Sequence, residues 1–322
     1  MASERIVPVD RAGREGGHVL EMQRRRLLTA TTEVVYERGV HGLTAALVAE
    51  RAGMSRRTFH DIFNGREGCL LGAFEESVSH ATQAVRAAVG GEERWAEKIR
   101  AGLTGLLSFL DYEPSMARLL IVEALASGEE TLRARKRVLD QIIAIVDEGR
   151  TQGKAPGRGQ AGLEPPPLTA EGTVGAVFSV IHARMLEQDT RSLTDLTGPL
   201  MAMIVAPYLG PTAAQKELKR PVSVPEPLTP RLPVDPFKDL PIRLTYRTAR
   251  VLASISDAPG ASSKQVAQAA GITDEGQTSK LLNRLQRYGL IHDTGIGPTK
   301  GLPRAWTLTQ RGENILQAVG ER

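Results

Sequence analysis

The chain has 322 residues, of which 41% are hydrophobic, 24% charged and only 4% aromatic. This length exceeds what one hydrophobic core organises, so we expect two or three domains with aliphatic cores, and the composition favours helices. The single cysteine, Cys69, excludes an intrachain disulfide and any metal site that needs several thiolates. The formal net charge of +4 is compatible with a nucleic-acid partner but does not by itself indicate one.

Signals for secretion, membrane insertion and catalysis are missing from the sequence. No apolar run reaches the length of a membrane span or forms a secretory signal, so we expect a cytoplasmic protein. No glycine-rich phosphate loop follows a strand, no nucleophile elbow occurs, and the six histidines are not spaced for zinc. The sequence therefore predicts a protein that is not an enzyme and holds no cofactor or metal.

The N-terminal part of the chain predicts two short helices joined by a turn. Residues 1–20 lack helical periodicity and predict a disordered arm, after which apolar residues recur at helical spacing as far as Gly39. Thr44 and Ser55 stand where N-caps are expected, and Gly53 lies between the two short segments that they begin. Two short helices separated by a turn with a glycine are typical of a helix-turn-helix.

A longer helical region is predicted downstream, followed by a spacer and a second small domain. The periodicity predicts helices over 67–89, 94–110, 114–126, 131–148, 169–186 and 192–208, with a loop at 149–167 and a kink at Pro199. Eight prolines between residues 211 and 241 predict a semi-rigid linker. Residues 242–322 read as three helices, a hairpin with a glycine-rich tip and a last helix.

The first part of the chain resembles the tetracycline-repressor (TetR) family. The resemblance is carried by Gly39-Val40-His41-Gly42-Leu43-Thr44, Val48-Ala49, Ala52-Gly53-Met54-Ser55, Thr58-Phe59, Phe63 and Arg66-Glu67. It implies an all-α, Ω-shaped homodimer with a helix-turn-helix DNA-binding domain at 21–80 and a ligand-binding and dimerisation domain at 81–210. It also implies that recognition helices enter successive major grooves of a palindromic operator, that the dimer forms a four-helix bundle from 169–186 and 192–208, and that repression is the usual outcome.

The residue types near Ser55 independently suit DNA. An N-cap there leaves backbone N–H groups facing outward, and an Arg fork can bind guanine in the major groove. We expect a base contact from Arg56 or Arg57. In this sequence His60 replaces a usual Tyr and Arg66 a usual Lys, although both can still donate hydrogen bonds. The N-terminal candidates for DNA contact are Thr44, Ser55, Arg56, Arg57, Thr58, His60 and Arg66.

The C-terminal region resembles a winged-helix domain of the MarR type. The resemblance is carried by Leu281-Leu282-Asn283-Arg284-Leu285, Gly289-Leu290-Ile291, Trp306-Thr307-Leu308-Thr309 and Arg311-Gly312. It implies a second DNA-binding head with a short β-hairpin wing, and its candidate contacts are Gln277, Thr278, Lys280 and Arg284 on the helix and Lys300 and Arg304 on the wing. An interaction or dimerisation module that does not touch DNA is the alternative.

The central helices are expected to form the sensor for a small-molecule effector. Aromatic and Met side chains line adaptable cavities, which makes them candidates, although each one taken singly suits a core or dimer-interface position better. The candidate lining residues are Trp95, Ile99, Phe109, Tyr112, Met116, Phe178, His182 and Met185. A sensor or scaffold that has no operator is a further alternative, against which the motif at Ser55 to Phe59 weighs.

Overall fold

The computed structural model describes residues 11–152, 165–187, 191–222, 246–272, 274–295 and 304–320. The chain divides into two compact units. The helical unit comprises Leu28–Arg51 and Arg56–Thr229, and the C-terminal unit comprises Met1–Leu27, Ala52–Ser55 and Pro230–Arg322. No helix among these residues is long and apolar enough to cross a membrane.

The helical unit consists of helices joined by short 3₁₀ turns. The 3₁₀ turns are Val40–Gly42, Glu123–Ala126 and Leu193–Leu196. The helices are α1 (Arg11–Arg38), α2 (Ala45–Arg51), α3 (Arg56–Ile62), α4 (Gly65–Val89), α5 (Trp95–Tyr112), α6 (Pro114–Ile121), α7 (Glu129–Asp147), α8 (Gly149–Gln152), α9 (Thr169–Leu186) and α10 (Thr197–Lys219). The residues of α1 up to Leu27 belong to the C-terminal unit.

The two short helices α2 and α3 sit on a small core whose side chains come from four helices. Phe59 of α3 is fully buried, and the Thr31 hydroxyl of α1 lies 3.0 Å from the Cys69 sulfur of α4. The Thr44 hydroxyl accepts a hydrogen bond from the Leu47 N–H at 3.2 Å, which confirms Thr44 as the N-cap of α2. Cys69 is therefore a buried packing residue.

The remaining helices of this unit pack around a second, aliphatic core. Ile181 of α9 and Leu107 of α5 are fully buried in it, and Trp95 donates its indole N–H to the Ile145 carbonyl at 3.0 Å. Ser192 caps the 3₁₀ turn before α10 by accepting a hydrogen bond from the Thr194 N–H. The core is thus built almost entirely from α4 to α7, α9 and α10.

Helix α10 bends at a different residue from the one the sequence predicts. Pro199 falls in its first turn, where a missing N–H costs nothing, so no kink forms there. The kink is at Gly210, whose φ of 81° is a backbone conformation that glycine adopts without strain. Residues 211–219 continue as helix, although a linker is predicted from 211, because Glu217 is held by the buried Arg100 of α5 at 2.5 Å.

The C-terminal unit combines helices with a three-stranded antiparallel sheet. Its strand order is β1-β3-β2, with Ile291 opposite Leu308 and Ala261 opposite Trp306. A capping box at Ser262 and Gln265 begins the second helix, and Asp274 caps the third. The elements are α11 (Tyr246–Asp257), β1 (Ala261–Ser262), α12 (Ser263–Ala269), α13 (Glu275–Arg287), β2 (Ile291–Asp293), β3 (Ala305–Leu308) and α14 (Gln310–Gly320).

The core of the C-terminal unit includes a residue from the start of the chain. Met22, only 6% exposed, packs with Leu252, Ile255 and Trp306 in this core. Helix α1 begins at Arg11, within the segment predicted as an arm over 1–20, and residues 1–10 lie outside the described part. Local periodicity does not reveal this beginning because tertiary packing, rather than propensity, stabilises most helices.

Candidate nucleic-acid interface and ligand cavities

The first candidate interface lies on α3 and the residues that flank it. Arg56, Arg57 and His60 are exposed on α3, and Thr44 and Arg66 are exposed nearby along the chain. Arg57 lies 4.0 Å from Asp61, one helical turn away, which is a weak pairing between two well-exposed groups. The guanidinium groups of α3 are therefore accessible to a partner. Ser55 and Thr58 are half-buried and so have less access.

An ion pair that the sequence analysis did not single out braces α2 against α1. Arg51 donates to both carboxylate oxygens of Glu37, at 2.9 and 2.6 Å, and to Glu33 at 3.3 Å. The hydrogen bond from Arg51 lowers the pKa of Glu37, and Glu37 in turn raises the pKa of Arg51. The brace sets the position of the helix that precedes the turn. Its spacing, 14 residues along the chain, carries no local signal.

The second candidate interface lies on α13. Lys280 and Arg284 are exposed there, and the exposed Asn283 and Arg287 on the same helix are two residues that the sequence analysis missed. Gln277 is exposed, but its side-chain oxygen accepts from Arg247 at 2.6 Å. These positions give α13 an exposed surface that carries several cations.

The other predicted contacts of this second interface are Thr278, Lys300 and Arg304. The prediction that Thr278 contacts DNA is wrong. Thr278 is 2% exposed and its hydroxyl donates to the Asp274 carbonyl at 3.1 Å, so it faces the core and not a partner. Lys300 lies outside the described residues. Arg304 is exposed and donates to the Asn283 side-chain oxygen at 2.7 Å, with its guanidinium 5.7 Å from the centre of the Trp306 ring. Arg304 is thus positioned beside α13.

An apolar cavity of about 400 Å³ lies among α4, α5, α7, α9 and α10. Among the described residues, the charged ones that line it are the exposed Arg86 and the half-buried Lys98, whose ammonium lies 3.7 Å from Glu148. Apolar walls with few polar groups are typical of ligand cavities of this size. The lining residues are Val85, Arg86, Val89, Gly90, Lys98, Ile99, Gly102, Leu103, Leu106, Ile142, Ile145, Val146, Val174, Val177, Phe178 and Ile204.

A second cavity, of about 330 Å³, lies among α6, α7 and α9 and is here called the arginine cavity. It shares Val174 and Phe178 with the apolar cavity, and it carries more polar groups. Its lining residues are Ile121, Leu125, Arg135, Leu139, Ile143, Glu171, Val174, Gly175, Phe178, Ser179 and His182.

The predicted cavity residues divide into those that line a cavity and those that do not. Ile99 lines the apolar cavity, His182 the arginine cavity, and Phe178 both. Tyr112 is wrong as a lining residue, because it is 57% exposed at the end of α5. The remaining predicted residues pack in or against the core and line neither described cavity: Trp95, Phe109, Met116 and Met185.

A buried carboxylate joins the sensor helices to the corner before α2. Glu123, in the 3₁₀ turn after α6, accepts from the Val40 N–H at 2.9 Å and from Arg118 at 2.9 and 3.1 Å. Gly39 has a φ of 69°, and a Cβ there would lie 3.3 Å from a Glu123 oxygen, so glycine suits both the backbone and the space. Because Ile121 and Leu125 line the arginine cavity, this junction adjoins a cavity wall.

Comparisons with known proteins agree with this geometry. Residues 27–73 match the family described as bacterial regulatory proteins, tetR family. The fatty acid metabolism regulator protein of Bacillus subtilis is 20% identical over 181 residues, which cover 56% of this chain and 93% of that protein. The HTH-type transcriptional activator FasR of Mycolicibacterium smegmatis is 26% identical over 110 residues, covering 34% of this chain and 50% of its own.

A solved structure shows a similar fold over about two thirds of this chain. SmeT, the repressor of the Stenotrophomonas maltophilia multidrug efflux pump SmeDEF, superposes with a TM-score of 0.50 at 21% identity, over 64% of this chain and 96% of its own. The family match covers α2, α3 and their core, and the structural similarity covers a larger share of the chain than the family match does. Residues 27–73 are therefore similar to the tetR family of bacterial regulatory proteins, and the fold is similar to that of SmeT over 64% of this chain.

Proposed function

We propose that this protein is a ligand-responsive transcriptional regulator that binds operator DNA as a dimer through α2 and α3. The observation that carries the proposal is the exposed pair Arg56 and Arg57 at the start of α3, within a tetR-family domain. Arg binds guanine O6 and N7 as a fork, so one of the two reads a base. Thr44, His60 and Arg66 contact phosphates and position the helix in the groove.

The dimer forms through the outer faces of α9 and α10, with a second copy of the chain as the partner. Each helix is apolar on nearly all sides, and such a helix is normally buried all round. The exposed positions on these faces carry no charge: Gly172, Ala183 and Leu186 on α9, and Pro199, Met203, Ala206 and Pro207 on α10. A four-helix bundle between two copies buries both faces. Acidic replacements at Ala183 and Met203 are expected to produce monomers in analytical ultracentrifugation.

The effector occupies the apolar cavity and carries an acyl chain or a similar apolar body. The cavity walls are aliphatic, and Arg86 and Lys98 offer cations for an anionic end group. The name of the Bacillus subtilis relative, a fatty acid metabolism regulator, supports this ligand class. Bound effector displaces α7, which lines the apolar cavity and packs against the 3₁₀ turn that holds Glu123. The displacement reaches the head through the Glu123 junction and shifts the population toward a state with lower operator affinity. Repression is the proposed sign of regulation, and a promoter-reporter assay distinguishes it from the activation in the name of FasR.

The C-terminal unit is a winged-helix domain that acts as a second DNA-binding head. The order of three helices with an intervening strand, a hairpin and a last helix supports this fold, and the exposed Lys280, Arg284 and Arg287 of α13 support contact with DNA. Arg304 on the wing contacts the adjacent minor groove or its phosphates. An interaction module without DNA contact is the second candidate, which the engagement of Gln277 by Arg247 favours.

The test is selection from a randomised duplex library at two salt concentrations. The full chain is compared with the double variants R56A/R57A and K280A/R284A, and with R133A/R137A on the exposed face of α7 as a matched control. We expect the wild type and the control to select one palindrome. R56A/R57A should lose sequence selection, at a cost of about 1–3 kcal/mol per base-reading arginine. Each lost phosphate contact should lower the salt slope by about 1.

The outcomes separate the candidate functions. A shorter selected site and a shallower salt slope for K280A/R284A support a second head, whereas an unchanged site and slope support the interaction module. If neither the wild type nor the control enriches any sequence, the protein is a sensor or scaffold without an operator, and the central proposal is wrong.

A further inference from the structure

The arginine cavity contains a cation that the described protein does not neutralise. Arg135 of α7 is half-buried and lines this cavity. Burial lowers the pKa of Arg135, and within the described residues no hydrogen bond or neighbouring charge offsets that effect. A guanidinium stays charged in proteins, so its partial burial costs free energy until an anion pairs with it. The neighbouring Arg133, by contrast, pairs with Glu129 at the exposed side of the same helix.

The cavity also keeps open space at a helix position where a side chain would be favourable. Gly175 lies inside α9 and lines the cavity, and a Cβ at this position would meet no atom within 4 Å. Glycine inside a helix costs roughly 0.5–1 kcal/mol relative to alanine. The exposed Gly175 therefore leaves the wall of the cavity that Arg135 lines without a side chain at this position. The backbone φ of Gly175 is not in the left-handed region, so conformation does not demand glycine.

The walls restrict what such an anion can be. They are aliphatic or aromatic at Ile121, Leu139, Ile143 and Phe178. The one acidic residue that lines the cavity in the described part of the chain, Glu171, disfavours a multiply charged anion. The planar fork of a single arginine matches a carboxylate and can bind it in two parallel hydrogen bonds. The chemistry favours a molecule with one carboxylate and an apolar body.

We propose that the arginine cavity is a second ligand site, which binds an amphipathic monocarboxylate with its carboxylate on Arg135 and its apolar body against Ile143, Val174 and Phe178. The site is distinct from the apolar cavity, in which Arg135 takes no part. The Ser179 hydroxyl and the His182 ring, both on α9, line the arginine cavity and supply further hydrogen-bond donors to the bound carboxylate. Ligand binding in the arginine cavity requires no DNA. Only its effect on regulation rests on the proposed function.

The test is calorimetric titration of the full chain, without DNA, with decanoate and with decanol as its neutral counterpart. Wild type should bind decanoate more tightly than decanol. Arg135→Gln should weaken decanoate binding about 10- to 100-fold, because a charge-assisted hydrogen-bonded pair is lost, and should leave decanol binding unchanged. Arg135→Lys should restore part of the affinity. Arg137→Gln, an exposed arginine on the same helix, is the matched control and should bind as wild type does.

Two cavity-filling variants separate the two sites. Gly175→Val should abolish the decanoate binding that depends on Arg135, while Leu106→Trp, which fills the apolar cavity alone, should retain it. The proposal is overturned if Arg135→Gln binds decanoate as wild type does, or if Leu106→Trp rather than Arg135→Gln abolishes binding. Operator selection is measured separately, so a failure of the proposed DNA-binding function leaves this result unaffected.

Discussion

Replacing Glu123 by alanine removes both interactions at the junction between α6 and the corner before α2. The Val40 N–H loses its acceptor in a place that water does not reach, since Val40 is only 3% exposed. A buried donor left without a partner costs about 1–3 kcal/mol. Arg118 is 38% exposed and regains water, so its lost ion pair adds about 1 kcal/mol at most. We therefore expect Glu123→Ala to lower the free energy of unfolding by about 1–4 kcal/mol.

The same substitution is expected to weaken communication between effector and operator. Coupling between two sites typically spans 5- to 150-fold in affinity, and the alanine variant should reduce this factor by more than its loss of stability explains. Glu123→Gln keeps an oxygen that can accept from Val40 and should retain most of the coupling. Denaturant unfolding and operator titrations with and without decanoyl-CoA measure the two effects, with Glu130→Ala, an exposed glutamate of α7, as control. Unchanged unfolding and unchanged coupling in Glu123→Ala would refute the reasoning.

Three further predictions concern other parts of the chain. Met22→Ala should destabilise the C-terminal unit by about 2–5 kcal/mol, because it opens a void in that core, and faster hydrogen exchange over 246–320 would reveal it. The lowered pKa of Glu37 means that the Arg51 brace stabilises the fold above the ordinary pKa of 4.5 and that this contribution disappears as the pH falls through the lower folded pKa. Arg51→Gln should thus differ from wild type in urea unfolding at neutral pH and converge with it in acid, and a constant difference would contradict this. Gly149→Ala should cost about 1–3 kcal/mol, since its Cβ would lie 2.6 Å from the Trp95 ring, and an unchanged melting temperature would exclude the overlap.

The features that the sequence determines are those that depend on neighbours within one or two helical turns. The N-caps at Thr44, Ser192, Ser262 and Asp274 were readable because a capping side chain binds an N–H only two or three residues away. The helix-turn-helix motif is equally local, and the family match over 27–73 covers most of the residues that carried the resemblance. Exposed arginines on α3 follow directly from that register.

The tertiary structure decides every feature whose partner is distant in the chain. The Glu123 carboxylate and the Val40 N–H are 83 residues apart in the chain, and Arg100 and Glu217 are 117 residues apart. The periodicity of the sequence therefore predicts neither contact. The latter pair continues α10 as helix beyond Gly210, where composition predicts a linker. Burial is decided in the same way. Helical spacing alone does not distinguish Thr278, which faces the core, from Lys280, which faces solvent. It also does not show that Arg135 lines a cavity. The burial of a helix face depends on what the rest of the chain packs against it.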